Sequence, residues 1–242
     1  MKRNDIVEIR IDSLSFPNKG KGVSDGVPVT VKNTLPGQTV LTRISKKKNG
    51  AAEGELKEVL ERSPIVDSDF LKIIDGTLKF FTERGTKFYH KKRRDGELRH
   101  LVVRKAAFTG EILVNLVTTS GYTFDPEEYS RAVLSLDLDG KIVGVLHTIN
   151  DVISDVVQSD ETRTLYGNDY FYETLLGLKF KISAFSFFQT NSRGAEKLYS
   201  VVRDYAGDTS GKIVFDLYCG TGTIGQIMSE GSKKVIGIEI VE

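Results

Sequence analysis

The chain has one cysteine, Cys219, among 242 residues. That excludes a disulfide scaffold and any metal site built from several cysteines of this chain. No run of about 18 apolar residues occurs, so no segment reads as a membrane span. The first ten residues, MKRNDIVEIR, lack the continuous apolar stretch of a signal peptide. Net charge is nearly absent too, with 34 Lys+Arg against 33 Asp+Glu giving +1. Internal repeats, low-complexity tracts and the HExxH, P-loop and paired-carboxylate motifs do not occur either. What remains is 39% hydrophobic and 28% charged. That suits a cytoplasmic globular protein of one large or two small domains, able to bury a core.

The small net charge hides a division. Residues 1–110 hold 23 basic and 14 acidic side chains, a net of +9; residues 111–242 hold 11 and 19, a net of −8. A basic front suits a polyanion and an acidic rear suits another task.

Residues 1–63 read as short strands. Val7, Ile9 and Ile11 alternate with charged neighbours, and Val27–Val31, Gln38–Ile44 and Glu55–Arg62 follow between glycine and proline turns. Several strands in about 60 residues predict an OB-like barrel. From Asp67 the period becomes helical, with Phe70, Ile73, Ile74, Leu78 and Phe81 on one face and Gly85 as the stop. A hairpin is predicted for Leu98–Lys105 and Glu111–Thr118, and a helix from Pro126 to about Leu136. Further strands are expected at Lys141–Asn150, Tyr170–Leu175 and Leu178–Ser183, making residues 64–184 an α+β region. After a helix capped at Asn191 or Ser192 come a strand (Ile213–Tyr218), a glycine loop, a helix from Thr223 and a strand (Lys234–Ile240). That order opens a Rossmann-like α/β domain over residues 185–242.

The glycine loop is the most informative segment. In Asp216-Leu217-Tyr218-Cys219-Gly220-Thr221-Gly222, Gly220 and Gly222 let the backbone turn sharply and approach a ligand. The helix after it is expected to offer free N–H groups. Glu239 ends the next strand 19 positions after Gly220, where a carboxylate accepts the ribose hydroxyls of an adenosine. Gly220–Gly225 also fits G-x-G-x-x-G, so a dinucleotide-dependent oxidoreductase stays open. Asp216 favours S-adenosylmethionine, because a carboxylate there repels a pyrophosphate and attracts an ammonium.

Phe187-Phe188-Gln189-Thr190-Asn191, followed by Asp216 to Thr223, closely resembles the RNA uracil-5-methyltransferases, most strongly their ribosomal-RNA branch. The resemblance extends over essentially the whole chain. It implies an N-terminal TRAM domain in residues 1–63, with S-adenosylmethionine as cofactor and 23S ribosomal RNA as substrate. It also assigns Gln189 and Tyr218 to the methionine part of the donor and Glu239 to its ribose. Thr223 stands where many members carry asparagine. In that family a cysteine thiolate adds to uracil C6, C5 takes the methyl group and a base removes the C5 proton. Both groups lie beyond the second strand of the methyltransferase domain in the family, and Cys219 falls inside the cofactor loop. The 242 residues therefore read as part of such an enzyme, inactive alone and a monomer, with no catalytic residue assigned.

Many ribosomal-RNA members also hold an iron–sulfur cluster through four cysteines. Ser63–Pro64 leads here into sequence that the family places after that region, so no metal is expected. A C-terminal half-sheet with exposed apolar faces is predicted to be poorly ordered or prone to aggregate.

Lys46-Lys47-Lys48 and His90-Lys91-Lys92-Arg93-Arg94, with Arg99, Arg104 and Lys105, are the candidate RNA contacts, and Phe88 and Tyr89 the candidate stacking rings. A non-catalytic RNA-binding module is the alternative in a different functional class. His100 and His147 fall within strands and read as structural.

Overall fold

The computed structural model describes residues 1–152 and 161–240. Strand alternation sets the first part: β1 (Ile6–Arg10), β2 (Ser13–Ser15), β3 (Lys19–Ser24), β4 (Val27–Lys32), β5 (Thr39–Lys48) and β6 (Ala51–Glu61). They form a six-stranded sheet in the order β1-β5-β6-β4-β3-β2. All its pairings are antiparallel except β4 with β6. The inward residues Ile9, Ile11, Val29, Val31, Val40, Ile44 and Ala52 make one core, and each fully buried Ile or Val contributes roughly 1.5–3 kcal/mol. Gly22 is required by a close approach, since a Cβ there would lie 2.1 Å from the Arg10 carbonyl oxygen. Neither β2 nor β3 is legible as a strand in the sequence, because glycines replace the apolar inward residues of β3.

Met1–Leu71 forms one compact unit and Lys72–Glu242 a second. Helix α1 (Ser68–Glu83) begins where the Asp67 carboxylate accepts the Asp69 N–H at 2.9 Å. It ends at Gly85, whose φ of 65° turns the chain. Next come β7 (Leu98–Lys105), β8 (Glu111–Thr118), α2 (Pro126–Leu134), β9 (Lys141–Ile149) and β10 (Glu161–Gly167). The sheet order is β10-β9-β8-β7. β7 and β8 are the expected antiparallel hairpin. β8 and β9 are parallel, joined through α2. Asp125 caps α2, its Oδ1 accepting the Glu127 N–H at 2.9 Å.

The two faces of this sheet carry different cores. On one lie Ile112, Val114 and Leu116, packed with Ile73, Phe80 and Phe81 of α1 and Tyr129 and Val133 of α2. The Tyr129 hydroxyl meets Thr77 Oγ1 at 3.0 Å, and burial pushes its pKa up to about 12. On the other lie Leu113 and Leu146, with the hairpin β11 (Tyr170–Leu175) and β12 (Leu178–Ser183) and with helix α3 (Ser192–Ala206). The chain then runs through β13 (Ile213–Leu217), α4 (Thr223–Met228) and β14 (Lys234–Ile238). β13 and β14 pair in parallel, with Asp216 opposite Gly237. Ile227 of α4 reaches the core around Leu146 and Tyr199. By contrast, Ile213, Phe215 and Leu217 are 51–60% exposed, so the outer face of β13 is left uncovered. Among the described residues no helix is long and apolar enough to cross a membrane.

Candidate functional site

The site is built on the turn from β13 to α4. Tyr218, Gly220 and Gly222 all have positive φ (59°, 51° and 70°), the fold-back that the two glycines permit. The Cys219 N–H donates to the Ile238 carbonyl of β14 at 3.1 Å, pinning the loop to the second strand. Cys219 Sγ packs on Gly237, where a Cβ would lie 2.9 Å from it.

Two carboxylates close the loop. Asp216 Oδ2 accepts the Gly225 N–H at 2.7 Å. Glu239 Oε2 accepts the Gly220 N–H at 2.7 Å, and its Oε1 accepts the Ile240 N–H at 2.7 Å. The Gly222 and Gln226 N–H groups are also engaged, by Cys219 O at 2.7 Å and Gly222 O at 2.9 Å. In the first turn of the six-residue α4, the Gly225 N–H is thus held by Asp216, and the Gln226 N–H closes the helix's own first bond to Gly222. Gly225 is needed by contact rather than dihedral, because a Cβ there would meet Asp216 Oδ2 at 2.9 Å and Val235 Cγ1 at 3.3 Å.

The second predicted motif lies beside this loop. Phe187 and Phe188 line a groove of about 300 Å³ together with Thr221 and Gln226. Phe188 is buried, whereas Phe187 is 74% exposed. Gln189 follows at intermediate exposure, and its amide has no protein hydrogen-bond partner among the described residues. Tyr218 is 79% exposed at the loop, so its ring is open to a ligand. Thr223 is buried and its hydroxyl meets Thr221 Oγ1 at 2.9 Å. It is thus tied within the loop.

Two side chains that sequence reasoning did not single out for this role hold the motif in place. Glu173, buried on β11, accepts the Ala107 N–H at 2.7 Å and the Ser192 hydroxyl at 2.6 Å through Oε2. Its Oε1 accepts the Phe108 and Thr174 N–H groups at 3.2 and 2.9 Å. It therefore fixes the start of α3, three residues after Gln189. The available signal was its place at an inward position between Phe171 and Leu175. Arg104 Nη1 donates to the carbonyls of Ser183 and Ser186 at 2.8 and 2.9 Å, clamping the turn before Phe187.

This changes the reading of the basic residues. Arg104 and Arg99 are not free phosphate contacts. Arg99 Nη1 donates to Asn150 O at 2.6 Å and Val152 O at 2.7 Å, and its guanidinium lies 4.6 Å from the centre of the Tyr89 ring. Burial lowers the Arg104 pKa from its ordinary value. The run from His90 to Arg94 is an exposed turn, closed by His90 N–H to Asp95 O at 2.7 Å and by the Arg93–Asp95 ion pair at 3.1 Å. Phe88 beside it is 58% exposed, and Lys46 to Lys48 are exposed at the end of β5.

Chemically, the loop presents two carboxylates and an open aromatic ring. That donor set fits a cationic, hydroxyl-bearing ligand. A pyrophosphate would meet two negative charges and backbone donors already in use. Among the described residues no group of three or more His, Cys, Asp or Glu could hold a metal ion.

No protein-family model matches the chain. An uncharacterized RNA methyltransferase of Clostridium acetobutylicum is 52% identical, and the match covers all of this chain and 74% of that protein. One of Clostridium tetani is 38% identical over 100% of this chain and 74% of its own length. Another, of Caldanaerobacter subterraneus subsp. tengcongensis, is 36% identical over 100% and 75%. The match to the tetani protein runs over 339 positions against 242 residues here, so 97 positions of that alignment face no residue of this chain. Among solved structures, the Pyrococcus abyssi tRNA (uracil-54, C5)-methyltransferase in complex with S-adenosyl-L-homocysteine has a TM-score of 0.56 and 20% identity. That match covers 97% of this chain and 73% of the other, a likeness of fold.

Proposed function

The chain belongs to the RNA methyltransferase family, and from that membership we propose that it binds S-adenosylmethionine and serves methylation of uracil C5 in RNA, with 23S ribosomal RNA as substrate. The observation that carries the donor is the pair of carboxylates on the loop. Asp216 and Glu239 occupy the N–H groups of Gly225 and Gly220 that a pyrophosphate would need. When bound, the donor supplies a methyl group activated on a sulfonium.

Glu239 accepts the ribose hydroxyls, and Asp216 faces the ammonium of the methionine part. Gln189 and the Tyr218 ring hold that same part, while Gly220 and Gly222 let the backbone come close. Residues 1–63 act as a TRAM-type RNA-binding barrel, residues 64–184 as the central support, and residues 185–242 as the donor-binding portion. The protein works in the cytoplasm as a monomer.

Cys219 is the sole cysteine and packs on Gly237. The thiolate that adds to C6 is therefore not supplied by these residues. Incubating the chain with labelled S-adenosylmethionine and uracil-containing RNA tests the assignment. Retention of the donor without methyl transfer is expected. Turnover would overturn the assignment of the thiolate to other residues, and failure to retain the donor would overturn the donor site.

A further inference from the structure

Lys179 and Lys181 sit at alternate positions of β12, so both leave the sheet on the face opposite the buried Phe180 and Ile182. β11 answers them with Tyr170 and Tyr172, which alternate with the inward Phe171 and Glu173. Lys181 Nζ lies 3.9 Å from the centre of the Tyr170 ring, and Lys179 Nζ 3.8 Å from that of Tyr172. The two rings meet edge to face at 5.4 Å. Among the described residues neither ammonium has a carboxylate partner. Both lysines also line the 300 Å³ groove shared by Phe187, Thr221 and Gln226, and no acidic residue lines it.

We infer that this lysine–tyrosine ladder is a phosphate-binding track for single-stranded RNA, leading the strand along β12 to the donor loop. This rests on the RNA methyltransferase reading of the same site. Two residues of strand place the lysines roughly 7 Å apart, the scale of successive phosphates on one nucleic-acid strand. The rings orient the ammonium groups, so less side-chain freedom is lost when a phosphate binds. Unpaired cations beside a groove free of carboxylates attract a polyanion, although this half of the chain is acidic overall. The ladder escapes notice in the sequence because Lys179 and Lys181 form no run.

The test is fluorescence anisotropy of the full chain with a labelled uridine-rich single-stranded RNA, repeated over a range of salt. The double variant Lys179→Ala/Lys181→Ala is expected to bind about tenfold more weakly. Its slope of log affinity against log salt should be shallower by about 1.4, since each phosphate neutralised on a single strand adds about 0.7. Its affinity for S-adenosylhomocysteine should equal that of the wild type. The variant Tyr170→Leu/Tyr172→Leu keeps both charges and should lose about two- to fivefold in affinity with the slope unchanged. A lysine double variant with wild-type affinity and slope overturns the track. A wild-type chain that binds S-adenosylhomocysteine but no RNA overturns the track and leaves the donor site standing; one that binds neither overturns the proposed function as well.

Discussion

Glu239 at the end of β14 and Gly220 in the loop after β13 are joined by a 2.7 Å hydrogen bond, the Gly220 N–H donating to Oε2 across 19 positions of sequence. The carboxylate thereby ties the second strand to the loop and stands where an adenosine ribose is expected. In the proposed function one residue thus combines a structural with a ligand-binding task at the same place. Asp216 does the same at the other end of the loop, through Gly225.

Gly225→Ala separates helix propensity from contact. Alanine is favoured over glycine in a helix by about 1 kcal/mol. Here the added methyl would meet the short Asp216 side chain at 2.9 Å and Val235 at 3.3 Å. The variant is expected to be less stable in urea and to bind S-adenosylhomocysteine at least about tenfold more weakly, as Asp216 is displaced. A more stable variant with unchanged binding would show that this contact yields easily.

Glu173→Gln tests the buried carboxylate. Four donors converge on its two oxygens, and the amide replaces one acceptor with a donor. The expected loss is about 2–4 kcal/mol in urea denaturation, since buried donors are left facing another donor. Ser192→Ala, which removes one of the four, is expected to cost about 1 kcal/mol.

Acid should weaken the second unit through His147. Its ring is fully buried, with Nε2 2.8 Å from Thr118 Oγ1 and its edge against Tyr122 at 4.7 Å. Burial first, and the Arg163 charge second, pull the imidazole down to about 4 from its ordinary 6.5. The unfolded chain takes up this proton near pH 6.5 and the folded chain near 4. Stability that is complete above pH 6.5 is therefore lost as the pH falls through that window. Urea midpoints measured from pH 7 to 4.5 should fall more steeply for the wild type than for His147→Gln, which has no such group to titrate. Equal slopes would assign the acid sensitivity to other groups.

The turn proposed to bind the donor was legible because its demands are local. Two glycines, a carboxylate at the end of one strand and another at the end of the next lie within 24 residues, and each acts on backbone nearby. Arg99 and Arg104 illustrate the opposite case. Their partners are carbonyls about 50 and 80 positions away, so a basic segment read as RNA-facing is partly committed to holding loops. Glu173 shows in the sequence only as a charge at an inward strand position; three of its four donors, at Ala107, Phe108 and Ser192, lie 19 to 66 positions away. β10 carries no inward apolar alternation, only Leu165 and Thr-rich exposed positions, and pairs along the edge of the sheet with β9. The exposed faces of Phe215 and Leu217 follow directly from two strands and one short helix, as the pattern predicted.

The most direct measurement is calorimetric titration of the chain with S-adenosylmethionine and, separately, with NAD. One equivalent of S-adenosylmethionine is expected to bind the wild type, with at least about tenfold weaker binding by Glu239→Ala, a loss of about 1.4 kcal/mol. No heat is expected from NAD. Binding of NAD that Glu239→Ala abolishes, with no binding of S-adenosylmethionine, would contradict the proposed donor site.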